Sequence, residues 1–223
     1  MKKSILRTNA QIKADNAAFE KLSPARKRVA IARDVLAQIG TRLVVTQGTY
    51  FKSGDLTKAR KRRGVTKQTE VRELLNTVES CNVCAKGALF ICNIDKVNKL
   101  KIADLSGDST QYGQIYGGDI TNYLERLFDE RQLKLIESAF EVADMSEDNA
   151  DRDDDYDETA DDIEAAIEFG RLFQTEPDDP YDDVETDAVS LLRAIMENIV
   201  VNKGTFRPEI HPERKWVTAG FRG

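Results

Sequence analysis

The chain has little of what catalysis usually draws on. Its 223 residues include one histidine, three cysteines and one tryptophan. Any Ser/His/Asp or Cys/His arrangement must therefore use His211. That residue stands in Pro208-Glu209-Ile210-His211-Pro212, a loop-like stretch ill suited to holding a base rigidly. There is no G-x-x-x-x-G-K-[ST] and no G-x-G-x-x-G, which excludes the common phosphate-cradling loops. An odd cysteine count makes a poor disulfide framework and suits a reducing compartment. No apolar run approaches the roughly 20 residues that span a bilayer. Met1-Lys2-Lys3 looks like the start of a signal peptide, but Ser4–Asn9 contains no apolar h-region. These absences predict a cytoplasmic protein with no membrane partner.

What the chain does have is a divided charge. Residues 1–72 hold 18 Lys/Arg against 5 Asp/Glu, whereas residues 141–187 hold 2 against 21. A formal net charge of −6 hides these two opposed blocks. Such asymmetry points to electrostatic partners, or to one block folding over the other. With 40% apolar residues, the remainder is ordinary globular composition and long enough to bury a core.

Hydrophobic periodicity predicts a mainly α protein with a minor β element, an α+β fold whose amphipathic-helix core is interrupted by an acidic insertion. A helix is expected over Pro24–Ile39, with Ser23 as N-cap and Gly40 as terminator. Residues 8–22 suggest a looser helix before it. Thr41–Phe51 reads as a strand or hairpin, and residues 52–67 as an exposed basic loop. Further helices are expected over Thr69–Glu79, Ala85–Val97, Asp119–Phe128, the segment capped by Asp129, Ile163–Phe173 and Ala188–Val201. A short strand is expected around Leu100–Leu105. Three segments result: 1–143, a helical core with a short β element; 144–187, acidic and partly disordered with a short helix at 163–173; and 188–223, a last core helix with a basic, aromatic tail.

Four groups of residues could carry chemistry. Cys81-x-x-Cys84 with Cys92 and His211 would make a Cys3His zinc site, consuming every soft ligand in the chain. A redox Cys-x-x-Cys at a helix start is a second reading, and small residues where a helix packs closely a third. Lys58, Arg60, Lys61, Arg62, Arg63 and Lys67 could bind phosphates by counterion release, although few aromatics are interleaved for base stacking; a charge run can equally be a solvated loop. Asp151, Asp153, Asp154, Asp155, Asp157, Asp161 and Asp162 form the densest acidic run. Its alternate carboxylates resemble a calcium loop, but position six is Tyr156 rather than Gly and position twelve is Asp162 rather than Glu. The run could instead mimic nucleic acid toward a basic protein groove, or serve as a solubilising linker. Finally, Tyr116-Gly117-Gly118-Asp119 could form an anion-binding turn or simply open a helix.

Several segments carry a resemblance. Cys81-Asn82-Val83-Cys84-Ala85-Lys86-Gly87-Ala88-Leu89-Phe90, the run from Arg28 to Val35, the stretch Phe128–Phe140, and Ile195–Pro208 with its Asn198, Asn202, Gly204 and Phe206 together resemble a set of uncharacterised bacteriophage and bacterial proteins. The resemblance implies a phage-type accessory role, acting in the host cytoplasm if phage-encoded, and implies no activity.

Taken together, these residues predict a non-catalytic protein that binds a macromolecule, most directly another protein, with inhibition of a host nucleic-acid-handling or defence protein as the concrete form. The alternatives are a nucleic-acid-binding module using residues 58–67, with zinc as its one candidate cofactor, and a divalent-metal-dependent enzyme. Oligomeric state and partner identity have no signature in the sequence.

Overall fold

The structure, a computed structural model, describes residues 9–61, 64–96, 100–106, 113–142, 158–175 and 184–210. It is mainly helical with a small sheet, as the periodicity predicts. Helix α1 (Asn9–Glu20) precedes α2 (Pro24–Gln38). Ser23 caps α2, its hydroxyl accepting from the Arg26 amide, and Pro24 supplies the preset φ of a first helical residue. Ile31, Ala32 and Val35 face inward, and Gly40, at φ +78°, turns the chain out of the helix.

The β element differs from the expected hairpin. Strands β1 (Leu43–Val45) and β2 (Phe51–Lys52) do not pair with each other. Between them lies β3 (Cys81–Val83), parallel to β1 and antiparallel to β2. The Cys81-x-x-Cys84 segment thus begins as a central strand. Cys81 and Val83 point inward and Asn82 outward, the alternation that a strand requires.

Residues 52–67 are not one exposed loop. Helix α3 (Gly54–Arg60) occupies the first half, and Leu56 is fully buried. That single leucine anchors the turn. Ser53 supports it, its hydroxyl accepting from the Asp55 amide while donating to the Ser80 carbonyl. Helix α4 (Val71–Leu75) is shorter than expected, although Val71, Leu74, Leu75 and Val78 are all buried. The strand expected at Leu100–Leu105 is instead a single bridge, Glu70 to Lys101, followed by a 3-10 turn at Ile102–Asp104.

Helix α5 (Ala85–Lys96) is the central element, buried without a break from Ala85 to Ile94. Burying each large apolar side chain of such a helix contributes roughly 1.5–3 kcal/mol. Gly87 is required there, because a Cβ would run into the Tyr50 carbonyl. Around α5 pack α2, α6 (Gly117–Leu124) and α7 (Glu130–Phe140), the last capped by Asp129, which accepts from the Gln132 amide at 2.8 Å.

Helix α8 (Glu158–Arg171) starts five residues before the sequence reading placed it and lies along α7. Ile163, Ala166 and Phe169 bury its inner face. A short ribbon, β4 (Gln174–Thr175) with β5 (Glu185–Thr186), leads to α9 (Ala188–Val201), which packs on α2. One continuous hydrophobic cluster runs from Phe19 to Phe206. Phe206, expected in a basic tail, meets Phe169 edge-on at 5.3 Å. No helix among the described residues is long and apolar enough to cross a membrane.

Candidate functional site

The three cysteines are buried and free. Burial pushes the Cys81 thiol up to about 11 and the Cys84 thiol up to about 12, and holds Cys92 well above its usual range. The first cause in each case is loss of water around the thiolate. All three therefore stay protonated at neutral pH, the opposite of an activated nucleophilic thiol. Cys81 Sγ lies 3.7 Å from the Arg42 carbonyl, and Cys92 Sγ accepts from Gln38 at 3.4 Å. Among the described residues, no group of three or more His, Cys, Asp and Glu side chains gathers as a metal ion requires. His211 lies outside those residues.

The basic cluster is divided by the structure. Lys58 stands exposed on α3 in an ion pair with Asp55 at 3.0 Å, and Arg60 closes that helix. Lys61 and Lys67 are exposed on either side of Gly64. Arg62 and Arg63 lie outside the described residues.

In the acidic run, Asp151, Asp153, Asp154, Asp155 and Asp157 also lie outside them. Asp161 and Asp162 are on the first half of α8. Asp162 turns toward α7 and pairs with Arg131. Asp161, Glu164 and Glu168 are exposed, at spacings of three and four residues, and so share the solvent face of α8. Arg171 closes the helix in an ion pair with Glu168. This carboxylate row does not sit on a floppy segment, because the opposite face of the same helix is buried core.

Sequence reasoning missed a polar cluster at the centre of the molecule. Lys86 on α5 is 5% exposed, and its ammonium donates to Glu137 of α7 at 2.7 Å and to Thr121 of α6 at 3.2 Å. The Tyr50 hydroxyl donates to the other Glu137 oxygen, and the Lys86 ammonium lies 5.3 Å from the Tyr50 ring centre. Burial, then the Glu137 carboxylate, raises the tyrosine's pKa well beyond its ordinary value. The adjoining turn is tied down as well: Gln47 donates to the Phe140 carbonyl, and the Gly48 amide to Glu141 at 2.7 Å. The Lys86–Glu137–Tyr50 set satisfies its own members, and its chemistry is that of a clasp. The available signal was Lys86 itself, a lysine embedded in the apolar run Ala85–Ile91.

The residues behind the resemblance also hold the fold. Arg28 donates to the Leu127 carbonyl at 2.8 Å and to the Gly204 carbonyl. Gln132 grips both backbone groups of Phe206. Asn198 donates to the Arg207 and Ile210 carbonyls and accepts from the Arg207 amide. Tyr116 to Asp119 opens α6, with Asp119 accepting from the Ser106 amide and hydroxyl. Comparison with family models, curated proteins and solved structures finds no match for this chain.

Proposed function

We propose that this protein is a non-catalytic accessory protein of phage or bacterial type. It binds a macromolecule through an acidic surface centred on α8, and the partner is a basic, nucleic-acid-handling protein. The observation that supports this reading is the row Asp161, Glu164 and Glu168, presented by a helix whose other face is locked into the core by Ala166 and Phe169. A fixed row of like charges costs less ordering entropy on binding than the same charges on a loose chain. Facing a basic groove, it also raises the rate of encounter. The helix alone carries charge more sparsely than duplex DNA, which has one per about 1.7 Å. In composition the acidic character extends beyond the helix, with 21 Asp and Glu over residues 141–187. The reading needs no cofactor. Charge reversal at Asp161 and Glu164 tests it: partner retention falls while the fold persists. Turnover stimulated by Mg²⁺ or Mn²⁺ would overturn the non-catalytic part.

A second reading is a nucleic-acid-binding module. It draws support from Lys58, Lys61 and Lys67, all exposed at or just after α3.

A further inference from the structure

Exposed apolar side chains gather where α8 gives way to α9. Leu172, 55% exposed, stands just past the last residue of α8, Val184 just before β5, and Val189, 43% exposed, in the first turn of α9. The Asp187 amide donates to the Phe173 carbonyl at 3.0 Å and so holds the start of α9 against the end of α8. Leu172 also continues the solvent face of α8, four residues beyond Glu168 and eight beyond Glu164. An apolar patch edged by a polar row has the composition of a docking surface. Glu168 already has Arg171, in a surface pair that contributes little. Among the described residues, no cation pairs with Asp161 or Glu164.

One segment of this chain has the complementary composition. Residues 211–223 follow Ile210, the last residue the structure describes, and hold Arg214, Lys215 and Arg222 against Glu213, together with Trp216 and Phe221. The preceding residues deliver the chain to α8. Phe206 meets Phe169 of α8 edge-on, Asn198 holds the Ile210 carbonyl at 2.9 Å, and Glu209 faces Asp162 of α8 across one groove. The stretch from Glu209 to Trp216 spans up to ~23 Å when extended, against ~15 Å along the helix from Asp162 to Leu172. Trp216 is therefore within reach of the apolar patch, and Arg214 and Lys215 within reach of the acids before it.

We propose that residues 211–223 dock in cis along the solvent face of α8, with Arg214 and Lys215 on Asp161 and Glu164 and with Trp216 on Leu172 and Val189, so that a basic partner must displace this tail to reach the acidic face. Tryptophan supplies a large apolar contact at low entropic cost, and the paired charges fix its register. A tether this short holds the tail at a roughly millimolar effective concentration, so even a contact of ~0.1 mM affinity keeps it docked most of the time. The competition rests on the reading of α8 as a partner surface; the docking itself does not.

Trp216 is the one tryptophan of the chain, so its fluorescence reports this segment alone. The test is emission and acrylamide quenching of the full chain at low salt, with a synthetic peptide of residues 211–223 as the undocked reference. The full chain should emit to the blue of the peptide and be quenched about threefold less or weaker still. Both differences should fade at about 1 M salt, where the Debye length is ~3 Å. They should also fade in Asp161→Lys/Glu164→Lys and in Arg214→Glu/Lys215→Glu, the second of which leaves α8 untouched. Combining the two charge reversals should restore them, and Leu172→Ser should move the emission toward that of the peptide. Thermal melts of each variant accompany the spectra. Emission and quenching equal to those of the peptide overturn the docking, as does a shielded tryptophan indifferent to salt and to both charge reversals. An emission unchanged in Leu172→Ser overturns the apolar contact. A blue shift that grows with protein concentration puts the tail on a second copy and overturns docking in cis. None of these readings uses a partner, so their failure leaves the acidic-surface reading to its own test.

Discussion

The Lys86 ammonium lies 2.7 Å from the Glu137 carboxylate, and this contact ties the central helix α5 to α7 beneath Tyr50. The pair is asymmetric: the lysine side chain is 6% exposed and the glutamate 28%. Removing the glutamate leaves a buried charge uncompensated, whereas removing the lysine leaves a carboxylate that water still reaches. We expect Glu137→Ala to cost about 3 kcal/mol or more, and Lys86→Met about 1 kcal/mol, in chemical denaturation. Equal losses would mean that the lysine finds other relief.

The thiols predict an alkaline limb of instability. In the unfolded chain they ionise near 9, whereas in the fold Cys81 and Cys84 hold their protons to about 11 and about 12. Above pH 9 the unfolded state therefore binds fewer protons than the native state, and stability falls as pH rises. Tyr50, also raised, acts in the same direction. The loss should be about 1 kcal/mol per pH unit for each thiol between pH 9 and 11, measured by denaturant titration. Cys84→Ala should flatten that limb. Alkylation at pH 8 should be slow on the folded chain and fast in denaturant.

Gly170 sets how closely α8 approaches α7. A Cβ there would run into the Val142 side chain and the Ala139 carbonyl. Gly170→Ala should cost about 1–3 kcal/mol and raise hydrogen exchange in α8 before the rest of the core. Unchanged exchange would show that α8 has room to shift.

Legibility in the sequence followed how local the cause was. Helices α2 and α9 carry their own caps, Ser23 and Asp187, and their own periodic faces, so their bounds were readable within a residue or so, and Asp129 marked where α7 begins. The sheet was not readable, because β3 is three residues long and its partners lie about 30–40 positions upstream, where no local pattern reports the pairing. Residues 52–67 misled because charge dominates that composition, while one residue, Leu56, decides its packing. The Lys86–Glu137–Tyr50 clasp joins positions far apart in the chain, and only the buried lysine among apolar neighbours hinted at it. The exposed acids of α8 were visible as composition, but their common face depends on Phe169 packing that composition does not encode.

The basic segment around α3 should give only a weak, salt-sensitive contact with nucleic acid. Anisotropy titrations with duplex DNA should show binding at about 50 mM salt that is lost by about 200 mM, since a few lysines neutralise few phosphates. Binding that survives the higher salt and disappears in Lys58→Ala/Lys61→Ala would instead make this segment the working surface.

The most direct test of the acidic-surface account is affinity capture from host extract, run side by side with the native chain and an Asp161→Lys/Glu164→Lys/Glu168→Lys variant of equal thermal stability. The account predicts that a basic nucleic-acid-binding protein is retained by the native chain, released by added duplex DNA, and lost with the variant. The same proteins retained by both chains, or retention indifferent to DNA, would contradict it.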